Sequence, residues 1–150
     1  MVLHANFVVF SGSKDHNVEA GGVQMDVGSL KVFFDGGCPL CRREIQHYRN
    51  LVASVPIEWI DVTGPERPLE GYDLTLEEAL RRFHVLDDHG QFHTGAHGFM
   101  ILWDQLPYYR HLARLVRVLR LVPGVERVYV RFADWHYRRR CAQGLCVIPD

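Results

Sequence analysis

The sequence predicts an α/β fold: a core in the order β-α-β-α-β-β-α with additional C-terminal helices. Three observations carry this. Apolar runs of strand length alternate with stretches whose apolar residues recur every three to four positions. One junction, "KVFFDGGCPLCRREI" from Lys31 to Ile45, sets Cys38 and Cys41 three positions apart where a strand gives way to a helix. Beyond Pro107 the pattern is helical only.

The elements follow in order. Residues 1–30 include "SGSKDHNVEAGGVQMDVGSL", rich in Gly, Ser and polar residues and without a sustained period, and read as a flexible extension with a short apolar patch at Asn6 to Phe10. "LKVFFD" is a buried strand that ends in an Asp-Gly-Gly turn. "CPLCRREIQHYRNLVASV" then carries Leu40, Ile45, Tyr48, Leu51 and Val52 at helical spacing. Pro56 punctuates, "IEWIDV" alternates as a strand does, and "GPERPLEGYDL" with its two prolines is a loop. Thr75 and Glu78 form the Thr-x-x-Glu signature of a capping box. "HVLDDHGQFHTG" is a hairpin turning through Asp87 to Gly90, and "AHGFMILWDQL" is a helix that starts after Gly95. "YYRHLARLVRVLRLV" and "VERVYVRFADWHYRRR" are two further helices, separated at Pro123-Gly124. The domain is expected to span 31–140, with 141–150 a tail.

Composition narrows the function classes. With 47% hydrophobic and 23% charged residues in 150, the chain is a globular protein able to bury a core without disulfide staples. A formal net charge of -1 gives no global pull toward nucleic acid or a membrane. No apolar run approaches the ~20 residues of a membrane span, and the N-terminus lacks the basic start of a signal peptide. A cytoplasmic, reducing location is the expectation. There a Cys-x-x-Cys is catalytic or metal-binding before it is a structural bridge.

The motif suits redox chemistry. Gly36 and Gly37 supply the turn, and Pro39 falls at the first helical position, where its missing N–H is not needed. The helix N-terminus favours a thiolate on Cys38, the form that attacks disulfides, with Cys41 one turn on as resolving thiol. Arg42 and Arg43 either add to that field or form a solvated face. Asp35 either relays a proton or caps the turn.

On these residues the chain resembles the DCC family of thiol-disulfide oxidoreductases, named for an Asp-x-x-Cys-x-x-Cys pattern that Asp35, Cys38 and Cys41 match. A second block, His84 to Pro107, is similar to the family's middle segment and includes Thr94, Gly95 and Ala96. A third, "ARLVRVLRLVPGV" from Ala113 to Val125, echoes a further stretch, so the likeness runs from Lys31 to Arg140. The resemblance implies a thioredoxin-like fold and a protein-disulfide reductase type of activity. Its substrate would be a disulfide-containing protein or a small-molecule thiol, re-reduced by an external electron donor, with no bound organic cofactor. "RRFHVL" departs from thioredoxin relatives, which carry a cis-proline before the third strand. "TGAHGF" is similar to the Gly-rich helix entry of glutaredoxin-like proteins, which makes Thr94 and Gly95 candidate substrate-binding residues through helix N–H groups.

Cys141 and Cys146 leave three readings open: a second dithiol or local disulfide, thiols on a mobile tail, or two ligands that complete a zinc site with Cys38 and Cys41. That last reading makes the chain a non-enzymatic zinc-stabilised module. The nine histidines are scattered, and no His-Glu-x-x-His occurs. Arg110, Arg114 and Arg117, then Arg127, Arg131, Asp134 and Arg138, recur at helical spacing opposite Leu112, Leu115, Val116 and Leu119, and then Val128, Tyr129, Phe132 and Trp135, and the basic face ends in Arg138 to Arg140. The plain expectation is a solvated basic face with the apolar residues packed inward. The alternative is an adaptor surface for an anionic membrane or an acidic partner.

Overall fold

The computed structural model describes residues 28–65 and 69–144. The expected extension up to residue 27, with its apolar patch, and Cys146 in the tail lie outside the described residues. The order is β1 (Leu30–Phe34), α1 (Pro39–Arg49), β2 (Ile57–Asp61), α2 (Leu76–Arg81), β3 (His84–Leu86), β4 (Phe92–Thr94), α3 (Gly95–Asp104), α4 (Tyr109–Val118) and α5 (Val122–Ala142). The sheet order is β2-β1-β3-β4, with β1 and β2 parallel and β3 antiparallel to both β1 and β4. This is a thioredoxin-like α/β fold.

β1 is central, so both its faces are covered, and the period-two alternation of a strand divides the core. Val32 and Phe34 face a cluster with Ile45 and Tyr48 of α1 and Leu102 of α3. Phe33 faces the other way, against Ile60, Leu74, Ala79 and Leu86. Val32, Phe33 and Leu102 are fully buried, each contributing about 1.5–3 kcal/mol of apolar burial. Lys31, the one residue of β1 that is not buried, pairs with Glu58 of β2. The capping box forms as expected: Thr75 Oγ1 accepts the Glu78 N–H at 3.3 Å and the Glu78 carboxylate accepts the Thr75 N–H at 3.0 Å.

The C-terminal helices differ from the sequence reading in two ways. The break falls at Arg120, not at Pro123-Gly124. Arg120 adopts a left-handed φ of 53°, and the Leu121 N–H returns to the Val116 carbonyl while the Arg120 N–H returns to that of Arg117. This closes α4 in a Schellman turn without the usual glycine. Pro123 then lies in the first turn of α5, where its missing N–H costs nothing. The second difference concerns packing. Ala113 and Val116 of α4 are buried, but Leu112, Leu115, Leu119, Val128, Phe132 and Trp135 are exposed and α5 buries no residue completely.

The turn from β1 to α1 is fixed by Asp61 at the end of β2. Its Oδ1 accepts the Gly36 N–H at 2.9 Å, the Thr63 N–H at 2.9 Å and the Thr63 hydroxyl at 2.6 Å. A Cβ on Gly36 would fall 1.8 Å from Asp61 Oδ2. Gly36→Ala is therefore expected to lower stability by about 1–3 kcal/mol, read as the shift in a urea unfolding midpoint. An unchanged midpoint would show that Asp61 does not hold the turn.

Candidate functional site

Cys38 is the N-cap of α1, with extended backbone at φ −89° and ψ 116° and Pro39 following in the first helical turn. Its sulfur occupies the place where a Ser or Asp oxygen usually caps a helix and accepts the Cys41 N–H at 3.3 Å. Cys41, one turn on, donates its S–H to the same sulfur, with the two Sγ atoms 2.8 Å apart. Both thiols are free. Asp35 ends the strand; its carbonyl accepts the Cys38 N–H at 3.2 Å, which closes the turn.

α5 roofs this turn. His136 Nε2 stands 3.3 Å from Cys38 Sγ, and its ring stacks on Phe132. One turn later Arg140 pairs with the buried Asp35 carboxylate. Asp35 Oδ1 and Arg140 Nε are buried without a hydrogen-bond partner. Burial also lowers the Arg140 pKa. Beneath this roof Cys38 is 0% exposed, whereas Cys41 is half-buried. An open, solvent-facing Cys38 is thus not what the fold presents.

The two thiols are driven apart in acidity. The hydrogen bond from the Cys41 thiol is the largest cause that lowers Cys38, to about 5; burial opposes it, and the Cys41 amide and His136 assist. The Cys41 thiol is pushed far up, first by its hydrogen bond to Cys38, then by burial, the Cys38 charge and Glu44. Arg42 and Arg43 are exposed and are not among these causes.

Cys41 also borders a cavity of about 340 Å³ between α1, α3 and α5. Its wall is largely apolar, with Phe83, Phe99, Met100, Tyr129 and Phe132, and it includes Asp35, Glu44 and His136. The backbone of Phe83, just before β3, is fully engaged. Its N–H donates to the Tyr129 hydroxyl at 2.7 Å, and its carbonyl accepts the Gly95 N–H at 3.0 Å. At the start of α3, Gly95 has a φ of 61°, and a Cβ there would lie 2.6 Å from a Glu126 oxygen. Glu126 of α5 accepts the Ala96 N–H at 2.6 Å. Thr94, an exposed residue, is the N-cap but makes no side-chain capping bond. The helix N–H group at this entry is thus already taken by the chain's own Glu126 carboxylate.

Cys38, Cys41 and His136 have donor atoms within 4.8 Å of one another and are a group among the described residues that could hold a metal ion. Two sulfurs and an imidazole suit a soft ion. Cys141 does not join this group, and Cys146, the fourth cysteine of the expected zinc site, lies outside the described residues. His136, Arg140, Tyr129 and Glu126 were all missed by the sequence reading. The available signal was the i, i+7, i+11 spacing of Tyr129, His136 and Arg140, which puts them on one face of α5.

In the reduced protein the thiolate absorbance should titrate with a midpoint near 5. Cys41→Ala is expected to raise that midpoint by at least about one pH unit and His136→Ala by less; the reverse order would refute the ranking of causes. Folding lowers this pKa from 9.0. The thiolate's contribution to stability is therefore complete above pH 9.0 and lost as pH falls through about 5. The oxidised protein should lack this acid-side loss.

The DCC1-like thiol-disulfide oxidoreductase family matches residues 32–142. No curated protein and no solved structure matches the chain. The match takes in the β1–α1 junction, the cavity and the whole of α5, and the chain belongs to the DCC1-like thiol-disulfide oxidoreductase family.

Proposed function

We propose that the chain reduces disulfides by dithiol exchange, with Cys38 as attacking thiolate and Cys41 as resolving thiol. The observation that carries this reading is the pair of free sulfurs 2.8 Å apart at a helix mouth, one acidified to about 5 and the other held protonated. A thiolate is the nucleophile, and an acidified one exists at neutral pH.

Cys38 Sγ attacks one sulfur of the substrate disulfide. A mixed disulfide forms, and the substrate's other sulfur leaves as a thiolate that takes up a proton. Once Cys38 is bonded it no longer accepts the Cys41 S–H as an anion, so the main cause that raises Cys41 disappears. Cys41 then loses its proton and attacks Cys38 Sγ. The second substrate thiol departs, leaving a Cys38–Cys41 disulfide. Two electrons have passed to the substrate, and an external dithiol must return them. We assign the proton leaving Cys41 to Asp35, whose unpartnered Oδ1 shares the cavity wall with Cys41.

Access to Cys38 requires His136 and its helix to lift. The same motion frees the Phe83 N–H from Tyr129. A disulfide-bearing protein segment or a small disulfide can then lay an apolar group in the cavity beside Cys41. Thr94 and Gly95 take part in binding only if Glu126 also withdraws from Ala96. A reducing compartment such as the cytoplasm would supply the electron donor.

Wild-type protein should cycle the Cys38–Cys41 pair reversibly between dithiol and disulfide. Cys38→Ser should reduce turnover of a model disulfide to background, while Cys41→Ser should accumulate a mixed disulfide on Cys38, seen as an adduct by mass spectrometry. Turnover surviving in Cys38→Ser would sink the assignment. Asp35→Asn should slow the second step by about tenfold or more, so that the mixed disulfide builds up in an otherwise intact protein.

A further inference from the structure

Both C-terminal helices leave an apolar flank uncovered. On α4, Leu112, Leu115 and Leu119 are exposed, while Ala113 and Val116 pack with Met100 of α3. Along α5 and its N-cap, Leu121, Val125, Val128, Phe132 and Trp135 are exposed and follow one another at intervals of four, three, four and three. That spacing forms a single stripe along the helix. Beside these flanks stand exposed Arg110, Arg114, Arg120, Arg127, Arg131 and Arg138.

The near-zero net charge of the chain conceals a strong segregation. Residues 109–142 hold nine arginines against Glu126 and Asp134, a formal +7. The remainder of the chain holds eight basic and sixteen acidic residues, a formal −8. These two helices thus carry exposed arginines together with uncovered Leu, Val, Phe and Trp side chains.

We propose that α4 and α5 form a docking surface that lies in the plane of an anionic membrane. A lipid surface meets both features at once: anionic headgroups face the arginines, and the acyl boundary takes up the apolar flanks. Trp135, with the Arg139 guanidinium 5.4 Å above its ring, is suited to the headgroup level, where indole and guanidinium are both accommodated. A second copy of the chain is the poorer occupant, because two arginine-rich faces repel. A partner helix would cover the stripe of α5 and leave the flank of α4 in water. Val125 and Phe132 belong both to the stripe and to the cavity wall beside Cys41. Docking therefore sets that cavity against the bilayer. The inference stands apart from the exchange chemistry, since it rests on residues outside the dithiol.

The test is co-sedimentation of the full chain with vesicles of phosphatidylcholine alone or with about a quarter phosphatidylglycerol, at low and raised salt. Binding is expected only to the anionic vesicles and should be released by salt. Tryptophan fluorescence should shift to the blue on binding, and Trp135→Phe should remove most of that shift. The variant Arg114→Gln/Arg127→Gln/Arg131→Gln should bind at least about thirtyfold more weakly, with its helical circular dichroism and its dithiol cycling unchanged. Equal binding to neutral vesicles, no binding to either, or undiminished binding by the triple variant would each overturn the proposal. So would lipid-free dimerisation that shields Trp135, seen by sedimentation velocity. Dithiol cycling measured on the same samples reports on the exchange reading separately.

Discussion

The site depends on a sulfur acting as a helix cap. An N-cap must offer an acceptor to the first free amides of its helix, and an anion does so best because the helix end carries partial positive charge. Cys38 meets that demand as a thiolate, taking both the amide and the thiol proton of Cys41. The cap and the proposed nucleophile are therefore the same atom. Burial opposes ionisation, yet the pKa is still lowered to about 5, so the hydrogen bonds outweigh the loss of solvent. The local sequence makes the geometry possible. Gly36 leaves room for the Asp61 carboxylate, and Pro39 commits the chain to a helix at the next residue.

α5 contributes the rest of the site and is held differently from a core helix. Beside apolar contacts such as Tyr129 on Phe99 and Val122 against the Met100 cluster, its inward contacts include several that are polar and directional. Glu126 meets the Ala96 amide, Tyr129 the Phe83 amide, Asp134 the Arg82 guanidinium, His136 the Cys38 sulfur and Arg140 the Asp35 carboxylate. A neutral hydrogen bond of this kind adds about 0.5–1.5 kcal/mol net, and one to a charged group about 1.5–3 kcal/mol. The Asp35–Arg140 pair carries a desolvation cost that its attraction only partly offsets, with one polar atom on each side left unpartnered. Contacts of this kind fix the position of the helix closely, and the proposed exchange at the buried Cys38 would require them to open.

What the sequence revealed and what it hid divide along the range of the interactions. The strand before Cys38, the glycine turn, Pro39 at the helix start, the Thr75–Glu78 box and the β3–β4 hairpin all rest on contacts within a few residues, and short-range chemistry is visible in a string of letters. His136 acts on a sulfur 98 positions away, and nothing near it marks that role. Arg140 was grouped with Arg138 and Arg139 as the end of a basic outer face, but the helical rotation of 100° per residue turns it inward to Asp35. The break at Arg120 escaped notice because a Schellman turn usually announces itself with glycine, and here an arginine takes the left-handed conformation. The exposure of the apolar flanks followed the same logic. Periodicity shows that a helix has an apolar side, but not how much of that side another element covers.

One helix thus has two working faces. The inner face of α5 carries His136 and Arg140 toward the dithiol, and its outer flank carries Val128, Phe132 and Trp135 toward solvent. The helix is continuous from Val122 to Ala142, so the two faces move as a unit. Any ligand of the outer flank whose affinity differs between the seated and lifted positions of α5 must shift the balance between them by that difference, and an occupied dithiol must shift the ligand's affinity by the same factor. The segregation of charge sharpens this coupling. Arginines of the +7 segment meet acidic groups of the body at Arg140–Asp35 and Arg117–Asp104, whereas Glu126 and Asp134 are the segment's own acids. An anionic surface competes with that body for the same helix. The proposed membrane contact and the proposed uncovering of Cys38 would then draw on a single equilibrium, the seating of α5.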